Sequence, residues 1–158
     1  MTDETERLAS QAACDRLIAR QNTLLLSTHS EAGNADISYA PYVREDATFY
    51  IFVSELAQHT KNLLAHPQAS VLFIEAESES ANLFARQRLT LDCQAREIHK
   101  TNPIYAHQLE AMTEKFGAVI DVLRGLTDFH LLALTPNHGR FVAGFGKTFE
   151  VDATGHIR

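Results

Sequence analysis

Two periodicities alternate along this chain. From Thr5 to Arg20 the spacing predicts a helix, with Leu8, Ala12, Leu17 and Ile18 roughly on one side. Thr23 to Thr28 then reads as a buried strand and Ile37 to Val43 as a second. Glu31-Ala32-Gly33-Asn34 between them is a turn, because Gly and Asn tolerate positive φ, so the two strands form a hairpin. Pro41 lacks a ladder donor and marks an edge or a bulge. Thr48 to Val53 is apolar on both faces, which predicts a central strand. A short helix follows, ending near His66-Pro67. Val71 to Ile74 is another two-sided apolar strand, and Glu75 to Asn82 is a polar loop.

From Arg86 to Ile98 the pattern alternates. Leu89, Leu91, Cys93 and Ala95 take one face; Arg86, Arg88, Thr90, Asp92, Gln94 and Arg96 take the other. A long strand with one wet face fits an antiparallel sheet. Asn102-Pro103 opens a long helix, in which Ile104, Leu109, Met112, Phe116, Val119, Ile120 and Leu123 recur at helical spacing up to Gly125. Phe129 to Leu134 is a strand, Pro136-Asn137-His138-Gly139 a turn, and Arg140 to Val151 one or two strands broken by Gly144 and Gly146. Strands that follow one another this closely predict a mainly β, α+β fold. An antiparallel barrel with helices outside is favoured over a doubly wound parallel sheet.

Composition narrows the class. The 158 residues suit one domain, 1–158, with one core. Hydrophobic residues make up 45 % and charged residues 22 %, the balance of a globular chain. A net charge of −6 argues against a general nucleic-acid binder. No apolar run approaches the ~20 residues that span a bilayer. The acidic N-terminal stretch lacks the basic-then-apolar order of a signal peptide, so a cytoplasmic protein without a membrane partner is expected. Cys14 and Cys93 show no metal-ligand spacing and read as two free thiols.

Three places carry candidate chemistry. The first is the junction Ser54-Glu55-Leu56-Ala57-Gln58-His59-Thr60-Lys61-Asn62-Leu63, where a strand feeds a helix start. Free backbone N–H groups, hydroxyls, an imidazole and an ammonium gather there and can hold a phosphate or carboxylate. An ordinary capped turn explains the same residues without a ligand. The second is Arg86 and Arg88, two apart and same-facing on a strand, which with Lys61 would make a three-cation patch; a solvated strand face paired to Asp92 or a glutamate is the alternative. The third is the stretch around Gly144 and Gly146, a bulge, a barrel corner or a close approach by a ligand. No nucleophile elbow, phosphate-binding loop, dinucleotide fingerprint or HExxH occurs. The eight histidines include no pair at tight metal-ligand spacing within one regular element.

Four stretches in order, Ile37-Ser38-Tyr39-Ala40-Pro41-Tyr42-Val43, Ser54 to Leu63, Leu83 to Thr90 and Gly139 to Thr148, together resemble the haem-utilisation (HugZ/HutZ) family. That family belongs to the FMN-binding split-barrel superfamily, the relatives of pyridoxamine 5′-phosphate oxidase. The resemblance runs from about Thr23 to Val151. It implies a six-stranded antiparallel split barrel acting as a homodimer, with sites at the interface. In flavin-using relatives Ser38, the Ser54/His59/Thr60/Lys61 junction and Arg86/Arg88 would hold the FMN phosphate. In the haem-utilisation branch the cleft holds haem, which is opened oxidatively with an electron donor, and Asp128 would hydrogen-bond a haem ligand. That branch takes its iron-ligating histidine from a tail beyond the last strand. His156 is the tail histidine here and stands earlier than the family spacing. Either His156 reaches the iron, or His59 or His138 serves, or haem is not used in that way. The resemblance therefore carries three readings: a haem-degrading oxygenase, an FMN-dependent oxidoreductase, and a haem carrier without turnover.

Overall fold

The computed structural model describes residues 3–158, so the first two residues of the acidic N-terminal stretch lie outside the described residues. The predicted hairpin forms from β1 (Thr23–His29) and β2 (Ala35–Pro41), with Leu26 opposite Ser38 and Gly33 at φ 83° in the turn. Tyr42 follows, then β3 (Val43–Glu45), which pairs with β4 (Thr48–Ser54). A helix, α2 (Gln58–Ala65), leads to β5 (Gln68–Ile74), and β6 (Arg88–Ile98) pairs with it antiparallel. After two helices come β7 (Phe129–Gly144) and β8 (Lys147–Asp152). The sheet order is β2-β1-β5-β6-β7-β4-β3, with β8 added on β7.

That order dictates closure. β2 and β3 stand at the two ends of the sheet path, yet a single residue, Tyr42, separates them in the chain. The sheet must curl until its edges approach, which makes a barrel with a seam. Tyr42 pins the seam: its hydroxyl donates to the Ile18 carbonyl at 2.6 Å, and its ring packs edge-on against Phe49 and Phe73. Pro41 sits on the edge strand, where its missing N–H removes no ladder bond. The sheet thus has eight strands where the resemblance implied six. The predicted strand Ile37 to Val43 divides at Tyr42 because its two parts pair with different neighbours.

Inward residues of alternate positions fill the barrel, among them Leu24, Leu26, Phe49, Ile51, Val71, Phe73, Leu89, Leu91 and Phe141. The helix α1 (Asp3–Arg20) packs on it through Ser10, Ala13, Cys14, Leu17 and Ile18. This face is rotated from the expected one: Leu8 and Ala12 point to solvent. Small Ser10 and Ala13 permit close approach, a factor that hydrophobicity alone does not register. A second cluster lies outside the barrel, where Tyr105, Leu109 and Met112 of α3 (Pro103–Phe116) cover Tyr50, Leu131 and Ala133. Asn102 caps α3 as expected, accepting from the Ile104 N–H at 3.0 Å. The predicted single long helix is two: Gly117, at φ 87°, ends α3, and α4 (Val119–Arg124) follows.

The expected turn at Pro136–Gly139 is instead part of β7. Pro136 opposes Cys93 and His138 opposes Asp92, so Asn137 is an extra residue in a bulge. The bulge accommodates the proline, which cannot donate to the ladder. Gly139 beside it is required by space, since a Cβ there would stand 2.2 Å from the Thr90 carbonyl oxygen. Gly144 and Gly146 flank the β7–β8 hairpin turn, so that stretch needs no ligand to explain it. Cys14 and Cys93 are unpaired and buried, and burial pushes both thiols up to about 12. No described helix is long and apolar enough to cross a membrane.

Candidate functional site at one mouth of the barrel

Antiparallel order gathers the end of β4, the end of β6 and the starts of β2, β5 and β7 at one mouth of the barrel. The Ser54–Leu63 junction lies there, and hydrogen bonds pin it at both ends. On the strand side, Ser54 Oγ donates to Asp128 Oδ2 at 2.7 Å and accepts from the Leu56 N–H, while the Glu55 N–H donates to the Asp128 carbonyl. On the helix side, His59 Nδ1 and Ser38 Oγ are 2.8 Å apart. Four of the predicted site residues, Ser38, Ser54, His59 and Asp128, therefore meet as two bonded pairs. The α2 helix has no side-chain cap at Ala57, so Ser54 caps the preceding turn rather than the helix.

Buried Asn62 anchors α2 to the sheet. Its amide donates to Thr28 Oγ1 at 3.0 Å and to Asp36 Oδ2 at 2.7 Å, and its oxygen accepts from Gln58. Three groups remain available. His59 Nε2 and Lys61 Nζ have no partner among the described residues. Thr60 Oγ1 is buried without one. Partial burial lowers the pKa of His59, so its imidazole is held neutral.

Arg86 and Arg88 do not join this group within one protomer. Arg88 starts β6, at the opposite end of an eleven-residue strand from the mouth, roughly 30 Å away at about 3.3 Å per residue. Its side chain shares the outer sheet face with Thr90, whereas Ser38 shares the inner face with Ala40 and Leu26. Arg86 precedes the strand altogether. It ends a short 3₁₀ turn, Leu83–Ala85, and donates through Nε to the Glu75 carbonyl at 3.0 Å. The expected same-facing arginine pair is thus absent: the alternation was extended two residues beyond the strand. The patch with Lys61 is not formed in one chain.

His156 is also remote from Asp128 in one chain. It lies in a turn after β8, where its N–H donates to Asp152 Oδ1 and its ring contacts Thr154 Oγ1 at 2.7 Å. Asp152 opposes His138, ten positions along β7 from residue 128. His138 itself is engaged with Asp92, Nε2 to Oδ2 3.1 Å.

One group at the mouth escaped the sequence reading. His130, at the start of β7, is held between two carboxylates: Nε2 meets Glu55 Oε1 at 2.6 Å, and Nδ1 meets Glu97 Oε2. Burial disfavours its charge, but the hydrogen bonds to Glu97 and then Glu55 outweigh that and raise its pKa above 6.5. The signal was present, because Glu97 continues the inward series Leu89, Leu91, Cys93 and Ala95, and a carboxylate on an apolar face demands a partner.

A curled antiparallel sheet with a polar strand-to-helix junction at one mouth defines a ligand-binding barrel of the split-barrel class. The pyridoxamine 5′-phosphate oxidase family model matches residues 10–143, and the chain belongs to that family. It is 39 % identical over 131 residues to "Heme oxygenase HutZ" of Vibrio cholerae, a match covering 83 % of this chain and 74 % of the relative. The crystal structure of HutZ, described as the heme storage protein of Vibrio cholerae, superposes with TM-score 0.76 at 35 % identity, over 80 % of this chain and 89 % of that one. Campylobacter jejuni ChuZ superposes with TM-score 0.84 at 27 % identity, over 95 % of this chain and 61 % of that one. The resemblance drawn from Ser54 to Leu63 and its companion stretches is therefore borne out at the level of the family.

Proposed function

We propose that this protein binds haem at the junction mouth and degrades it oxidatively, releasing iron, as a homodimer. The observation that carries the reading is the free Nε2 of a neutral His59, its Nδ1 fixed by Ser38. The free imidazole fits haem iron, and Lys61, exposed on the same helix, adds positive charge to that end of the barrel. Bound haem supplies the iron chemistry by which, with dioxygen and an electron donor, its own ring is opened. The chain's share is to bind, orient and tune. Ser54 fixes the Asp128 carboxylate so that it accepts from a group at the mouth, and α2, held by Asn62, keeps His59 and Lys61 in place. Likeness to a protein described as a heme oxygenase supports the reading.

The dimer rests on the outer sheet face. Ile37, Tyr39 and Leu25 stand there together on paired strands, with Ile37 83 % exposed. Apolar side chains grouped this way on a sheet face call for a cover, and a second copy is the cover the family relationship suggests. A dimer is also what Arg86, Arg88 and His156 would need to serve a ligand at the mouth, since one chain keeps them away from it. Ile37→Glu is expected to give a monomer by light scattering; a dimer in that variant would overturn this assignment.

A carrier without turnover is the second reading, favoured by the description of HutZ as a storage protein. Single-turnover assays with ascorbate and oxygen decide between the two. Loss of the Soret band with a ring-opened green or yellow product supports degradation. A persistent Soret band supports carriage. A flavin spectrum with no haem uptake supports the FMN reading instead.

A further inference from the structure

The Glu55–His130–Glu97 cluster adds a side-chain link between three elements whose backbones already pair at this mouth. Glu55 belongs to the junction after β4, His130 to β7 and Glu97 to β6. The same Glu55 donates its backbone N–H to the Asp128 carbonyl at 2.8 Å, and its neighbour Ser54 donates to the Asp128 carboxylate at 2.7 Å. The bonds form one chain, from Glu97 through His130 and Glu55 to the Ser54–Asp128 pair. We propose that His130 is a positioning residue: as a cation between Glu55 and Glu97, it fixes the junction so that Ser54 and Asp128 stay paired, and its loss of a proton loosens that pair. The inference rests on the reading that Asp128 serves a ligand at this mouth.

Geometry argues for the cation. Imidazolium donates from both nitrogens, and both nitrogens here face carboxylate oxygens. A neutral ring has one donor, so one carboxylate would then oppose a lone pair. The imidazole is 20 % exposed; its bond to Glu97 is partly buried, while the bond to Glu55 opens to solvent. The other groups at this place are few. His99, Lys100 and Tyr105 line a pocket of about 440 Å³ with Glu97 and His130, from the β6–α3 link and from α3. Asp128 lies two residues before His130 in the chain. The carboxylates are the groups in hydrogen-bond contact with the ring.

The raised pKa sets the sign. A histidine whose pKa is higher folded than unfolded contributes stability fully below the unfolded value, 6.5, and loses it as pH rises through the folded value. The pair at Asp128 is therefore held most firmly below 6.5 and loosened as pH rises through the raised value.

The test compares wild type, His130→Gln and Glu97→Gln as full-length proteins, from pH ~6 to ~9. Two quantities are read: the thermal unfolding midpoint without ligand, and haem affinity by absorbance titration. Wild type is expected to lose stability as pH rises across this window, whereas His130→Gln shows no such slope. Haem affinity should fall about tenfold in His130→Gln at neutral pH, the scale of losing a positioning partner, and lose its pH dependence. Glu97→Gln keeps the shape but deletes one charge, so it should move the wild-type slope to lower pH; it carries the test if His130→Gln does not fold. Superimposable pH profiles for wild type and the variants overturn the inference. Failure of wild type to bind haem overturns the functional reading alone, because the unfolding profiles still decide whether His130 is the switch.

Discussion

The junction mouth and the Arg86–Arg88 segment carry similar chemistry and end in opposite situations. Both offer cations next to a strand end. At the junction three polar side chains find partners from distant elements: Ser38 for His59, Asp128 for Ser54, Thr28 and Asp36 for Asn62. At the other end Arg86 bonds the Glu75 carbonyl and Arg88 bonds the Arg86 carbonyl, both within their own loop. Long-range bonds tie the junction to distant elements, whereas local bonds hold the two half-buried arginines to their own loop. The first region is preorganised by the barrel, and the second is held by its own loop.

The largest break in this contrast should come at Asn62. Asn62→Ala leaves Thr28 and Asp36 without a buried donor and frees α2, at a cost of about 2–3 kcal/mol. Arg88→Gln, at a half-buried arginine bonded among the described residues only to the Arg86 carbonyl, should cost about 0.5–1 kcal/mol. Urea unfolding of the two variants measures the difference, and equal losses would contradict the contrast. Next in size is a binding effect. Lys61→Gln should leave stability unchanged and weaken haem about fivefold, equivalent to ~1 kcal/mol. Arg88→Gln should weaken it comparably in the dimer and not in the monomeric Ile37→Glu background. An Arg88 effect that survives in the monomer would place that arginine in its own protomer's site. The smallest effect concerns pH. His59 has its pKa lowered by burial, so its neutral form is favoured in the fold. Its contribution is present above the unfolded value of 6.5 and lost as pH falls from there toward the folded value. His59→Gln should flatten that acid-side slope of the unfolding midpoint while leaving the alkaline-side slope of His130 intact.

The sequence disclosed strands where one rule acted alone. Alternation gave Leu89, Leu91 and Cys93 their shared inward face, and the Gly33 turn gave the first hairpin its ends. It misled where two rules competed. At Pro136–Gly139 turn-forming residues lie inside a strand, because a bulge against Cys93 absorbs the proline and close packing on Thr90 demands the glycine. At Arg86 the polar alternation outran the strand by two residues, which moved a side chain from a face to a loop. The candidate site was legible as a list of residue types at a strand-to-helix junction. Its pairings were not, because Asp128 and Glu97 are brought there by β4–β7 and β6–β7 pairing and Ser38 stands on β2, at the far end of the sheet path, all of them long-range events without a local signature. His130 was missed for the same reason: its partners come from β6 and from beyond β4, and only the inward placement of Glu97 hinted at them.

The central claim is that haem is held at the junction mouth by the free face of His59, with Asp128 in support. Titration of haem into wild type, His59→Ala, His156→Ala and Asp128→Asn, followed by absorbance, tests it most directly. The predicted result is a saturable Soret band in wild type that shifts in position and weakens in His59→Ala, with a smaller shift in Asp128→Asn. No Soret band in wild type, or a His59→Ala spectrum identical to wild type while His156→Ala loses the band, would contradict it.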